Sequence, residues 1–434
     1  LPADVPAWLD HYIESERHLN RLPGVAIAIV RNGQKIVRGY GLDVRQPVEL
    51  ASLSKPFTAF AIGNLQQEGF LQFDHPVSHY LPQFAPDDPL TVRHLLRHIS
   101  GFTRDHDYLI PCCAALGRYS LQQTAATLAA APRATAPAAF AYANSNYMLL
   151  AAIVERAAGK PFQDYLRDSV LRPIGMTATS FEAPTLQYRL IWRTLQPAPP
   201  ESSSWYGSSL LKSTAADMAL LLSALLAPNS ALGKRLAENH LQPPYDMGWF
   251  ISQGQAWPHD ELLLKHTGFI WSGSTAAVLA PAGRAGAVVL INVGVPRAGP
   301  IAQQILAALT GSHPPLATRS PRLEDPDFWG VLLAAASVLI LTLTLLWIGR
   351  VIAGLRSRRR AFRPGASLPL ARAILLLGLA LALPILAFGP ATPPRPCLPQ
   401  SAQLSLPLLV AAATLLLLTA AISGLTVRQP RPPQ

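Results

Sequence analysis

Apolar positions recur along this chain with two different periods, and each change of period marks an element. Leu9 to Leu22 carries apolar residues at helical spacing among mixed charges, which predicts an opening helix. Gly24 to Val30 is a nearly unbroken apolar run, and Gln34 to Tyr40 is a second, more polar one. Asn32-Gly33 between them predicts a hairpin turn. A helix-compatible run follows from Ser52 to about Gln67, with Phe57, Phe60, Ala61 and Leu65 on its apolar side. Helical periodicity then dominates, broken by Pro76, Pro82, Pro86 and Pro89. Thr91 to Phe102 starts at an N-cap residue and stops at Gly101. Ser120–Ala131, Asn146–Ala158 before Gly159, Ser213–Leu226 and Lys234–His240 read as further helices.

After Tyr245 the texture changes. Met247–Ser252, Leu262–His266, Ser274–Leu279 and Ala287–Val293 are short alternating or apolar runs separated by Gly and Pro, which predicts consecutive antiparallel strands. A last amphipathic helix, Pro300–Leu309, would pack on that sheet. The expected fold is an α+β domain over residues 1–311, with the N-terminal hairpin joining a C-terminal meander and a helical subdomain at about 74–240.

Residues 312–327 are rich in Pro, Ser and charge and read as a linker. Beyond them, residues 328–434 read as a membrane domain, with helices at about 329–349, 370–389 and 404–427. The middle one holds Pro384, which membrane helices tolerate.

Charge sharpens this division. Of 36 basic and 25 acidic residues, no acidic residue lies beyond Asp327, whereas ten arginines do. The first part is therefore nearly neutral, at +1, and +10 of the net charge of +11 belongs to the tail. A nucleic-acid partner is excluded, because those arginines sit between apolar segments rather than on a globular face. Arg350, Arg356, Arg358, Arg359, Arg360, Arg363 and Arg372 cluster between the first two spans, and Arg428 and Arg431 lie in the tail. By the positive-inside rule both face the cytoplasm, and everything before Pro326 is extracytoplasmic, in a bacterial cell membrane. The chain starts at Leu1 without a charged apolar leader, which we read as a mature form whose export signal has been removed. The spans offer the lipid bilayer as a partner and a surface for a homo-oligomer.

Three cysteines, Cys112, Cys113 and Cys397, form neither a metal-ligand spacing nor a disulfide framework. The two neighbours read as reduced thiols or as a strained vicinal disulfide. No metal and no organic cofactor is expected.

The candidate chemistry starts at Glu49-Leu-Ala-Ser-Leu-Ser-Lys55. Ser52 and Lys55 stand at i and i+3, so on a helix the amine lies beside the hydroxyl. A serine is a weak nucleophile that needs an adjacent base, which a desolvated lysine can be. A helix start adds unpaired N–H groups and the positive end of the dipole. Two more motifs follow, Tyr142-Ala-Asn144 in a loop before a helix and His266-Thr-Gly268 at the end of a strand. His94 and His98 stand one turn apart and could suggest a metal, although the family that these motifs resemble implies a structural role.

In order, Ser-x-x-Lys, Tyr-x-Asn and His-x-Gly resemble the serine β-lactamase and penicillin-binding-protein superfamily. The likeness is to the branch of class C β-lactamases, D-stereospecific aminopeptidases and esterases (peptidase family S12). His94-Leu-Leu-Arg-His-Ile-Ser-Gly101, Arg172-Pro-Ile-Gly-Met176, Ser213-Thr-Ala-Ala-Asp-Met218 and Gly248-Trp249 strengthen the resemblance, which covers about residues 8–311. It implies that Ser52 forms an acyl-enzyme, with Lys55 and Tyr142 sharing its proton and each lowering the other's pKa. Asn144 would bond Lys55 and the substrate amide. The N–H groups of Ser52 and Phe269 would form the oxyanion hole. His266, Thr267 and Gly268 would line the substrate strand. Glu49 would contact a substrate amine or serve as scaffold.

Two departures bear on substrate. His266 stands where most β-lactamases and DD-peptidases carry lysine, so attraction for a substrate carboxylate there should be weak. Ser208-Ser209 stands where glycines are common. The three C-terminal spans resemble peptidases that mature prodrugs, of the colibactin-maturation type. The expected function is a membrane-anchored, extracytoplasmic serine hydrolase, foremost a D-amino-acid-directed peptidase cleaving a small-molecule or peptide amide. A carboxylesterase, or a class C-like β-lactamase or DD-carboxypeptidase, is the alternative within the enzymes. A penicillin-sensing receptor is the alternative outside them, disfavoured by the short tail after Val427.

Overall fold

The computed structural model describes residues 5–111, 119–191, 194–197, 205–227, 233–234, 241–253, 262–310, 317–318, 328–357, 360–362 and 426–428. Helix α1 (Val5–Asn20) leads into the expected hairpin, β1 (Val25–Arg31) and β2 (Gln34–Tyr40). Then come β3 (Val48–Glu49), a 3₁₀ turn at Ala51–Ser54, and α2 (Lys55–Gln67). The helical region holds α3 (Val92–Leu96), α4 (Arg104–Asp107), α5 (Leu121–Ala129), α6 (Asn144–Ala158), α7 (Phe162–Leu166) and α8 (Arg172–Ile174). Two short strands, β4 (Tyr188–Ile191) and β5 (Thr194–Pro197), precede β6 (Lys212–Ser213) and α9 (Ala215–Leu226). The meander consists of β7 (Tyr245–Asp246), β8 (Trp249–Gln253), β9 (Leu262–Ile270), β10 (Gly273–Ala280) and β11 (Ala285–Ile291), closed by α10 (Ala298–Leu309).

One seven-stranded antiparallel sheet, ordered β2-β1-β11-β10-β9-β8-β7, joins the two ends of the domain. Its central strands are covered on both faces, which is why their sequences read as unbroken apolar runs. Along β1, Val25, Ile27 and Ile29 belong to the core shared with α1 and α10, whereas Ala26, Ala28 and Val30 belong to the core shared with α2 and α9. The period of two along the strand assigns each residue to its layer. Between α1 and α10 lies a buried ion pair: Arg297 donates to both Glu16 oxygens at 2.6 and 3.0 Å.

Several boundaries differ from the sequence reading. The helix expected from Ser52 becomes a 3₁₀ turn, with α-helix only from Lys55. The strand expected over Met247–Ser252 is split at Met247-Gly248, both at positive φ (48° and 83°). Strand β9 runs to Ile270, so His266-Thr-Gly268 lies inside a strand rather than at its end. The Thr91 helix closes after one turn because His98 takes φ 55°. Of the helix expected over Lys234–His240, residues 235–240 lie outside the described residues, as do Cys112, Cys113 and Cys397.

The chain divides into two compact units, residues 1–190 with 195–324, and residues 191–194 with 325–434. The second contains α11 (Phe328–Arg356), 29 residues long, and an antiparallel pair of β12 (Arg360–Phe362) with β13 (Thr426–Arg428). Thus α11 outruns the first expected span, and β13 takes the last two residues of the third. Counted over the described residues alone, no helix is long and apolar enough to cross a membrane. The middle expected span and nearly all of the third lie outside those residues.

Candidate active site

Ser52 sits where the chain turns from β3 into α2. The residue before it, Ala51, is held at φ 49°, a left-handed conformation that a side chain adopts only under constraint. The constraint is close packing against β9. A Cβ at Gly268 would lie 2.0 Å from the Leu50 carbonyl oxygen, so only glycine lets the strand approach this closely. Thr275 of the next strand donates its hydroxyl to the same oxygen at 2.7 Å. On the other side, Gly248 allows the β7–β8 turn to press on α2, where a Cβ would meet Pro56 Cα at 2.5 Å.

That packing buries Lys55 completely. Its Nζ lies 3.1 Å from Ser52 Oγ, 2.7 Å from Asn144 Oδ1 and 2.9 Å from the Ser208 carbonyl oxygen. Burial pulls the amine down to about 7, helped by Arg104 and opposed by the Asp107 carboxylate. A neutral amine has two hydrogens and one lone pair. Two of its three neighbours are carbonyl oxygens and can only accept, so the lone pair must face the Ser52 hydroxyl.

The orientation of Asn144 underlies that conclusion, and Asp107 fixes it. Asp107 Oδ2 accepts from the Asn144 backbone N–H at 3.0 Å and from its side-chain nitrogen at 3.1 Å. The amide oxygen is thereby turned to Lys55. Asp107 Oδ1 accepts from the Ser145 backbone N–H at 2.7 Å, so one carboxylate caps the N-terminus of α6. Burial pushes the Asp107 carboxyl up, while bonds from Ser145 and Asn144 and the charge on Lys55 pull it down.

Tyr142 completes the group. Its hydroxyl hydrogen-bonds Ser52, and its ring centroid lies 4.9 Å from Lys55 Nζ. The ring packs between His98, at 4.6 Å, and Phe250, at 5.8 Å between centroids. Burial pushes the phenol up, and the bond to Ser52 offsets only part of this. The expected mutual lowering of the two pKa values is therefore not the governing effect: desolvation moves Lys55 down and Tyr142 up.

The remaining expected residues divide by depth. Thr267 and Phe269 are exposed on alternate positions of β9, and β8 pairs only as far as Lys265. His266 points the other way and is 1% exposed. Its Nδ1 lies 2.8 Å from the Thr267 carbonyl oxygen, which only an N–H satisfies, so Nε2 accepts from the Tyr245 hydroxyl at 3.1 Å. Burial first, then the charge of Lys55, lowers the imidazole to about 3. It is a neutral residue behind Tyr142. Glu49 is also buried, in the β3–β6 pair opposite Lys212, and its N–H donates to Gln187 Oε1 at 3.2 Å.

His94 and His98 do not share a ligand. His94 Nδ1 accepts from the Thr91 N–H, and His98 Nδ1 faces the Ala143 N–H and Asn146 Nδ2. No cluster suited to a metal occurs among the described residues. Asp107, the Ser208 carbonyl, Tyr245 and Arg104 were not singled out from sequence. The guanidinium of Arg104 lies 5.9 Å from the Tyr142 ring centroid.

Comparison with known proteins agrees with this geometry. A family model described as Beta-lactamase matches residues 9–311. Protein flp of Staphylococcus aureus (strain COL) is 28% identical over 326 residues, covering 68% of this chain and 64% of that protein. The putative penicillin-binding protein PbpX of Bacillus subtilis (strain 168) is 27% identical over 248 residues, covering 52% of this chain and 61% of that protein. The chain thus spans less than two thirds of the length of these curated relatives. Among solved structures, a class C beta-lactamase superposes with a TM-score of 0.62 at 20% identity, over 72% of this chain and 98% of the other. The octameric penicillin-binding protein homologue from Pyrococcus abyssi gives 0.61 at 22% identity, over 76% and 81%. At these identities the superpositions speak for the fold alone.

Proposed function

The chain belongs to the Beta-lactamase family, and from that premise we propose that it is a serine hydrolase that cleaves an amide through a Ser52 acyl-enzyme, as a D-amino-acid-directed peptidase anchored in the membrane. The observation that carries the catalytic part is the set of three contacts around Lys55 Nζ. They leave a neutral lysine no partner for its lone pair except Ser52 Oγ.

Ser52 Oγ attacks the substrate carbonyl as its proton passes to Lys55 Nζ, forming one C–O bond and an oxyanion. The Ser52 and Phe269 N–H groups receive that charge. Tyr142, a phenol at neutral pH, gives its proton to the leaving nitrogen and regains one from the Lys55 ammonium. The C–N bond breaks, and the acyl group stays on Ser52. Water then adds by the reverse route, with the same groups taking and returning its proton.

The anchor rests on the sequence of the tail, in which long uncharged stretches alternate with arginine-bearing loops. The stretch from Trp329 to Ile348 is the first of them. Pairing of Arg360 with Arg428 draws the two arginine-bearing segments together, as one membrane face requires. The catalytic unit is then extracytoplasmic.

Mass spectrometry of the intact protein against β-lactams, D-aminoacyl peptides and short esters tests the reading. The expected result is an acyl adduct on Ser52 that turns over for the peptides and is absent in Ser52→Ala. Adducts that persist in Ser52→Ala would overturn it, and turnover confined to β-lactams or esters would replace the peptidase.

A further inference from the structure

Among the described residues, Lys55, His266 and Arg104 are basic side chains beside the catalytic group, and of these Arg104 alone is exposed. Lys55 is buried, and its three neighbours occupy it. His266 is buried and neutral, with both ring nitrogens bonded inside the protein. Arg104 is exposed, with its guanidinium carbon 5.9 Å from the Tyr142 ring centroid. No carboxylate pairs with it among the described residues. Of the two acids on its own element, Asp105 forms no ion pair with it among the described residues, and Asp107 is committed to Asn144 and Ser145.

The backbone beneath Arg104 is held from several sides. Thr103 and His106 form a capping box at the start of α4. His106 Nε2 lies 3.0 Å from the Pro132 carbonyl oxygen, and its ring meets Phe102 edge-on at 5.1 Å. Asp107 ties the other end of α4 to the start of α6, beside Asn144. The charge is therefore carried on a held segment of α4, beside Tyr142. Its field also reaches the reacting atoms, since it lowers both Lys55 and Tyr142.

We propose that Arg104 is a specificity-determining residue that receives a carboxylate of the substrate. A guanidinium presents a planar fork of donors that matches a carboxylate in two parallel bonds. The neutral β9 wall at His266 offers no competing cation, so the substrate charge is read at α4. This inference rests on Ser52 being the acylated nucleophile.

The test uses two alkyl fluorophosphonates on the full chain, identical except that one arm ends in a carboxylate and the other in a carboxamide, each over a short series of methylene spacers. Ser52 Oγ attacks phosphorus, fluoride leaves, and the serine proton is taken up by Lys55, so the labelling rate needs no substrate turnover. Wild type is expected to react faster with the acid at the best spacer. In Arg104→Gln the acid-to-amide rate ratio should fall about tenfold. Arg104→Lys should keep part of it, and Arg104→Glu should invert it; the carboxamide probe, whose rate carries any change that the altered charge makes at Lys55, is the reference within each form. A ratio unchanged in Arg104→Gln and Arg104→Glu, with the carboxamide still labelling Ser52, overturns the assignment and leaves the hydrolase reading intact. A wild-type protein that neither probe labels at Ser52 sinks both.

Discussion

Asp107 holds the side-chain amide of Asn144 by its nitrogen, at 3.1 Å, and so decides that its oxygen faces Lys55. A carboxylate that never touches Ser52 thereby sets which atom beside the lysine can accept a hydrogen. Asp107→Asn removes the constraint, because an amide offers donors as well as an acceptor. We expect kcat/KM to fall about 10- to 100-fold through lost orientation. Asp107 raises the pKa of Lys55, so its neutralisation should also shift the acidic limb of the pH–rate profile to lower pH. A limb that stays in place, or moves up, would refute this coupling.

Lys55 itself should set that limb. With an amine at about 7, kcat/KM should rise with pH through that value as the neutral base accumulates. Tyr142 is pushed upward by burial, so no alkaline limb below about pH 10 should arise from it. The same shift has a sign for stability. The folded amine binds its proton less readily than an unfolded lysine near 10.5. The unfolded state therefore holds more protons between these values, and stability falls as pH drops from 10.5 to about 7. Lys55→Met should abolish acylation and raise stability at pH 7 by roughly 1–2 kcal/mol after the lost bonds are counted. Denaturant titrations at pH 7 and 10 check it, with a smaller gain at pH 10.

His266 should not titrate near neutrality. Its folded value of about 3, against 6.5 unfolded, means that stability attributable to it is full above 6.5 and is lost as pH falls towards 3. Histidine NMR signals followed from pH 8 to 5 should show the His266 ring unshifted. His266→Gln should flatten the acid loss of stability. A ring that protonates near 6.5 would show instead that it faces the cleft.

The buried pair of Arg297 with Glu16, shielded at 6% and 0% side-chain exposure, ties α1 to α10. Glu16→Gln leaves a guanidinium without its charge partner inside the fold and should cost about 3–5 kcal/mol. Chemical denaturation reads this directly. Labelling of Ser52 in the folded fraction should be unchanged, since the pair lies across the sheet from the catalytic group.

Membrane orientation has its own test. A reporter active only outside the cytoplasm, fused after Pro326, should be active, and the same reporter within Arg356–Arg360 should be silent. The reverse pattern would remove the extracytoplasmic substrate from consideration.

The sequence by itself determined what depends on local spacing. Short apolar or alternating runs placed the hairpin and meander, Asn32-Gly33 closed the first turn, and the three-residue interval of Ser52 and Lys55 already brought amine and hydroxyl together. The order of the three motifs was legible for the same reason, since each is a short segment. Tertiary structure decided what depends on atoms distant in the chain. The Ser208 carbonyl reaches Lys55 across 153 residues, and Asp107 orients Asn144 across 37. Neither bond has a sequence signature. Protonation was settled there too, because desolvation sums over everything packed around a group. That sum pulls Lys55 down, pushes Tyr142 up, and turns His266 into a neutral residue behind the site. Arg104 belongs with these: on the sequence it is one arginine among many, and only the fold stands it over Tyr142.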